Sequence, residues 1–197
     1  MTRVVLLMKD FELAKTRLSS VLDPAARSVI ATDFALAALL AVGEDALVVA
    51  GSEAAAETAR ELGNEVIVEE RPSGQNPAAR LGIEAAVAGG ADAVFVLSSD
   101  LPLIEAGVVD RLLAWADGLP PPVVVAVPAV GRGGTNGLYL APPDVIDLHF
   151  GDDSLAKFEA DARSRGVRFE TYDSPELALD VDEPSDLAAF RERRRAG

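Results

Sequence analysis

Fifteen arginines and only three lysines occur in this chain, and two of the lysines, Lys9 and Lys15, fall in one short stretch that also holds Arg17. An ammonium is a compact point charge suited to phosphate or to a crowded site, whereas a guanidinium prefers bidentate partners. The stretch follows the first apolar run, residues 3–8 (RVVLLM), in a chain of formal net charge −14. Cations just past the carboxyl end of a parallel strand stand where open α/β sheets bind their ligands. A phosphorylated ligand is the first expectation.

Carboxylates supply the second set. Asp100, in SSDLPL, directly follows the apolar run at 93–97. A carboxylate at a buried strand end needs a partner, a hydrogen bond or a metal; it reads equally as a helix or turn cap. Magnesium is commonly held by one or two carboxylates together with nucleotide phosphates. The partner candidates are Asp180 and Asp182 in LDVDEP, two apart and so on one face of a strand. Taken alone, Asp182 or Glu183 reads better as a cap for a helix opening at Pro184, with Asp180 solvated.

Three loops could grip anions or a base. GGTN at 133–136 joins flexible backbone amides to the Thr135 hydroxyl and the Asn136 amide, a nest for phosphate or carboxylate oxygens. FGDDS at 150–154 offers Gly151, the Ser154 hydroxyl and a helix N-terminus, although Asp152 and Asp153 could simply be first-turn charges. In RPSGQN at 71–76, Gln75 and Asn76 could meet a base edge or ribose, while Asn76 before Pro77 also reads as an N-cap. His149, the single histidine, reads as a packed residue beside Phe150. The glycine fingerprints of dinucleotide and P-loop sites are absent.

These groups need a frame. Continuous apolar runs at 4–8, 46–50, 66–68, 93–97 and 123–127 read as strands covered on both faces. Ala- and Leu-rich stretches at 24–41, 53–62, 77–88 and 104–116 read as the helices between them. After Pro128 the expected order is a strand at 135–140, a helix at 154–165, strands at 167–172 and 177–181, and a helix at 184–194. The fold class is therefore α/β: one doubly wound, mostly parallel sheet with helices on both faces, spanning residues 1–197 as a single domain. The RERRR tail at 191–195 reads as the solvated end of the last helix.

Composition narrows the partners. Acidity at pI 4.4 argues against nucleic acid and against an anionic membrane surface. The absence of cysteine excludes disulfides, thiolate chemistry and Cys-based zinc sites. No signal peptide or membrane span is read in the apolar runs, and a cytoplasmic location is expected.

Lys9, AKTRL at 14–18, NPAARLG with Asn76 and Gly82, SDLPL, GGTNGL, FGDDS and LDVDEPSDL, in that order from residue 4 to about residue 187, together resemble the CofC/FbiD family. That family makes the guanosine diphosphate-linked intermediate of coenzyme F-420 biosynthesis on a nucleotidyltransferase sheet. The resemblance implies transfer of GMP from GTP to a small phosphorylated three-carbon acid, 2-phospho-L-lactate or phosphoenolpyruvate, with release of pyrophosphate. It places Lys9 with Lys15 and Arg17 on the triphosphate, and Gln75, Asn76 and Gly82 along the guanosine. Asp100 with Asp182, and with Asp180, would hold magnesium; Thr135, Asn136, Gly151 and Ser154 would hold the acceptor. It also suggests hand-off of the product to the next pathway enzyme and leaves oligomeric state open, a homodimer included. The competing readings are a molybdenum-cofactor guanylyltransferase, which carries a glycine-rich loop after strand one, and a nucleotide-binding module without catalysis.

Overall fold

Val4, Leu6 and Met8 of the first strand join one apolar cluster, while Val5 and Leu7 join another on the opposite side. That alternation places β1 (Thr2–Met8) at the centre of a sheet covered on both faces. The computed structural model describes residues 1–11, 14–71, 74–131 and 133–196, without the side chains of 194–196. Parts of three loops discussed above (Glu12 and Leu13, Pro72 and Ser73, Arg132) lie outside the described residues, as does Gly197.

Among the described residues seven strands pair in one sheet in the order β3-β2-β1-β4-β6-β5-β7. They are β1, β2 (Leu47–Ala50), β3 (Glu65–Val68), β4 (Ala93–Ser98), β5 (Val123–Pro128), β6 (Thr135–Ala141) and β7 (Arg168–Thr171). Only β6 runs against its neighbours, pairing antiparallel with both β4 and β5. The sheet is therefore mostly parallel, as its continuous apolar strands require. The helices α1 (Pro24–Val42), α2 (Glu53–Glu61), α3 (Gln75–Ala88), α4 (Val108–Ala116) and α5 (Ser154–Ser164) are followed by the single turn α6 (Pro175–Ala178) and by α7 (Pro184–Ala196). Asp23 caps α1 as its Asp-Pro pair predicts, its carboxylate accepting from the Ala26 amide at 2.8 Å.

Four expectations need correcting. Residues 177–181 are not a strand, because their carbonyls are claimed elsewhere. Those of Leu177 and Ala178 accept from the Asn136 amide at 2.8 and 3.1 Å, and Ala178 also takes the Val130 N–H. Second, α3 opens one residue before Asn76, with Gly74 (φ 102°) at its cap, so Asn76 is not the cap. Third, α4 begins at Val108, not Ile104, after a left-handed Gly107. Last, α1 does reach the length and mean hydropathy (1.7) of a membrane span. It is a packed helix all the same, with Phe34, Ala35, Ala38 and Leu39 buried in the protein's own core.

Candidate active site

Leu7 of β1 and Ser98 of β4 are paired in parallel register. Two residues past each stand Lys9 and Asp100, brought together at the carboxyl edge of the sheet by that pairing alone. The Lys9 ammonium lies 3.2 Å from Asp100 Oδ2. Lys15 reaches the same oxygen at 2.9 Å and Asp182 Oδ1 at 3.5 Å. The Ser98 hydroxyl donates to the other oxygen of Asp100. None of these is a helix cap. The start of α7 is instead served by Asp186, whose carboxylate accepts from the Asp182 and Glu183 amides.

The two lysines differ in setting. The Lys9 side chain is 58% exposed, that of Lys15 only 2%. Lys15 adopts a left-handed backbone (φ 58°, ψ 30°) and lies over the Phe34 ring, 5.9 Å from its centroid. Where the resemblance puts Lys15 on a triphosphate, its ammonium here is enclosed between two carboxylates. Arg17 does face the crevice and pairs loosely with Glu183 at 3.8 Å.

Charge follows this geometry. Burial would push the Asp100 carboxyl up, but the Lys15 and Lys9 charges, with hydrogen bonds from Lys15 and Ser98, outweigh it and hold the group well below the usual carboxylate range. Asp100 in turn raises Lys9 against the effect of burial, helped by Asp182 and Asp180. The pair is ionised throughout the neutral range.

A polar crevice of about 220 Å³ gathers Lys9, Arg17, Gln75, Asp100, Thr135, Asn136, Gly151, Ser154, Asp180 and Asp182. An apolar slot of about 240 Å³ adjoins it, lined by Leu7, Met8, Val49, Gly51, Gly74 and Ala78, with Asp10 and Glu69. Lys9, Gln75 and Ser98 line both. A larger hollow, about 950 Å³, lies between Phe34, Ile104, Leu187 and Phe190 and contains none of the expected site residues.

Also lining the crevice, the Thr135 and Ser154 hydroxyls are buried with no hydrogen-bond partner among the described residues. Both residues are over nine-tenths buried. Ser154 opens the eleven-residue helix α5, next to Gly151 at φ 124°. A buried hydroxyl left unpaired is unfavourable unless a ligand completes it. Oxygen atoms of an anion at a helix N-terminus would do so.

Three predicted residues are engaged by other parts of the protein. Asn76 holds Phe150 by two hydrogen bonds, from Nδ2 to the Phe150 carbonyl and from the Phe150 amide to Oδ1. Asn136 lines the crevice, but its amide is spent on the carbonyls of 177 and 178. Gly82 packs face-on against β1: a Cβ there would lie 2.3 Å from Val5 Cγ1 and 2.9 Å from Val49 Cγ2. Close helix–sheet packing, not nucleoside contact, explains that glycine. His149 is the packed residue expected, its Nε2 2.9 Å from Asp161 and its ring against Phe158.

Could the carboxylates hold a metal? Asp100 and Asp182 already converge on one cation, the Lys15 ammonium. Among the described residues no group of three acidic or histidine side chains is close enough to cage an ion. The donor set suits a hard cation that keeps further oxygen ligands from phosphate or water.

Comparison with known proteins decides the family. The family model described as guanylyl transferase CofC like matches residues 2–190. The chain belongs to that family. This CofC-like chain is 36% identical over 208 positions to the phosphoenolpyruvate guanylyltransferase of Conexibacter woesei, covering 100% of the chain and 91% of the relative. It is 35% identical over 189 positions to the 2-phospho-L-lactate guanylyltransferase of Methanothermobacter thermautotrophicus, covering 94% and 82%. Among solved structures, a nucleotidyl transferase from the latter organism superposes with a TM-score of 0.68 at 18% identity, covering 100% of the chain and 99% of the neighbour. At that identity the likeness speaks for the fold. The CofC-like chain is thus a guanylyltransferase on a nucleotidyltransferase sheet.

Sequence reasoning missed the apolar slot, Ser98 as a donor to Asp100, and Phe34 under Lys15. Ser98 had a signal, since a hydroxyl two residues before a strand-end carboxylate can fold back on it. The others depend on packing between distant segments.

Proposed function

We propose that this chain transfers GMP from GTP to the phosphate of a small phosphorylated three-carbon acid, phosphoenolpyruvate or 2-phospho-L-lactate, in coenzyme F-420 biosynthesis. The observation that carries this reading is the layout of the crevice. An apolar slot fit for a base opens on one side of Lys9 and Asp100, and two unpartnered buried hydroxyls stand on the other.

The reaction needs little beyond placement. An oxygen of the acceptor phosphate attacks the α-phosphorus of GTP and forms the new P–O bond. The bond from the α-phosphorus to its bridging oxygen breaks, and its electron pair leaves on pyrophosphate. The nucleophile is already an anion, so no general base has to remove a proton. The obstacle is bringing two anions into line, which cations and fixed donors overcome. Lys9, exposed at the junction, meets the triphosphate, with Arg17 at the rim. Gln75 faces the nucleoside side. Gly151, Ser154 and Thr135 hold the acceptor phosphate, and Asn76 and Asn136 fix the loops that present them. Asp100 and Asp182, with Asp180 nearby, would hold magnesium, which supplies charge neutralisation to the phosphates when bound.

The reaction belongs in the cytoplasm, and the product passes to the next enzyme of the pathway; a homodimer is compatible with this reading. Pyrophosphate release from GTP and magnesium, with phosphoenolpyruvate, 2-phospho-L-lactate and 3-phosphoglycerate offered in turn, tests it. Release dependent on one acid supports the assignment, and no release with any of the three overturns it. ATP in place of GTP should release far less.

A further inference from the structure

Lys15 occupies the place where a cation is wanted. Its ammonium bridges Asp100 and Asp182, the two carboxylates that the preceding reading gives to magnesium. The side chain is almost fully enclosed, with the Phe34 ring beneath it. Its left-handed backbone is unusual for a non-glycine residue and starts the short turn Thr16–Ser20, whose Leu18 amide returns to the Lys15 carbonyl at 2.9 Å. This residue is held inward by backbone, ring and ion pairs together.

We propose that Lys15 is a resident stand-in cation: it neutralises Asp100 and Asp182 while no nucleotide is bound, excludes a free divalent ion, and cedes that place when a triphosphate arrives. The inference rests on the proposed magnesium site at these carboxylates. Two ammonium groups, Lys9 and Lys15, already pair with Asp100 and Asp182, two of the four carboxylates that line the crevice. A divalent ion arriving alone gains little from oxygens that are already paired, and it meets two positive charges at close range. A triphosphate brings several negative charges to the same spot and gives the ammonium groups other oxygens to meet. Metal and nucleotide binding are then coupled, so the ion enters with GTP and not before it. Such coupling is reciprocal. Arginine could not substitute, because its planar fork is too large for a gap sized to one ammonium.

Manganese, which reports on magnesium sites by electron paramagnetic resonance, is the probe. The wild-type protein should show no saturable manganese binding without nucleotide. A GTP analogue with an uncleavable α,β-methylene bridge should bring manganese onto the protein at least about tenfold more tightly. Lys15→Met should bind manganese without nucleotide, gaining about tenfold or more over wild type, and Lys15→Met with Asp100→Asn should lose that gain. Wild type that binds manganese equally well with and without the analogue overturns the proposal on its own. If manganese never joins the complex of wild type and analogue beyond the analogue's own affinity, the magnesium reading fails, and this inference with it. Should Lys15→Met fold poorly, the two wild-type arms still decide, and Lys15→Gln repeats the third.

Discussion

The carboxamide of Asn76 and the backbone of Phe150, 74 residues apart, exchange two hydrogen bonds of 3.0 and 2.8 Å. The first turn of α3 and the loop leading into α5 are thereby fixed to each other. Gln75, next to Asn76, faces the crevice from one side, and Gly151, next to Phe150, faces it from the other. On the proposed reading Asn76 is a positioning residue, acting through Gly151 and Ser154.

Asn76→Ala should therefore loosen the acceptor end. Losing two hydrogen bonds is worth about 1–3 kcal/mol. The KM for the acceptor acid should rise by about tenfold or more, with the KM for GTP changed far less. Steady-state kinetics varying each substrate in turn separates this from a direct nucleoside contact, which would move the GTP term instead.

Thr135→Val and Ser154→Ala should behave unlike ordinary losses of buried polar groups. Their hydroxyls have no partner among the described residues, so removing them should leave folding stability within about 1 kcal/mol of wild type or raise it. Each should weaken acceptor binding by about 1–2 kcal/mol. Chemical denaturation and acceptor titration, measured on the same variants, check both halves. A clear loss of stability with normal acceptor binding would refute the assignment.

Asp100 predicts an acid dependence. Its folded-state pKa is depressed, so its contribution to stability is present above its unfolded value, about 3.9, and is lost as pH falls through the folded value. Asp100→Asn should be destabilised at pH 7 by about 3 kcal/mol or more, because two ammonium groups lose their shared partner. The gap to wild type should stay nearly constant down to about pH 4 and then narrow. Urea unfolding at stepped pH measures it. A gap that widens in acid would contradict the sign.

Gly82→Ala tests the reassignment of that residue. The added methyl meets Val5 and Val49 inside contact distance, and overpacking of this kind costs about 1–3 kcal/mol. The variant should unfold at lower denaturant while its KM for GTP stays at the wild-type value.

Much of this was legible in one dimension. Continuous apolar runs mark strands buried on both faces, and Asp23-Pro24 marks the start of α1. Lys9 and Asp100 stand at strand ends, where parallel pairing must bring them together. What escaped depends on contacts that local patterns do not encode. LALDV reads as a strand until Asn136 claims its carbonyls from 41 residues away. Asn76 before Pro77 reads as a cap until Phe150 takes its side chain. Lys15 reads as a phosphate cation until a left-handed turn points it inward. In each case a side chain or backbone group found a long-range partner that outweighed its local preference.

The reversed strand β6 has one more consequence. Running against β4 and β5, it presents its beginning, Thr135, at the edge where its neighbours present their ends. The chain before residue 101 builds the slot, Lys9, Lys15, Asp100 and the wall at Gln75, whereas the hydroxyls come from a later hairpin and helix start and Asp182 from the approach to α7. On the proposed reading, the two substrates are thus addressed by separate stretches of one gene. Drift around residues 135–154 can change which acid is accepted without disturbing how the nucleotide is held, a division of inheritance that lets one scaffold diversify its acceptor.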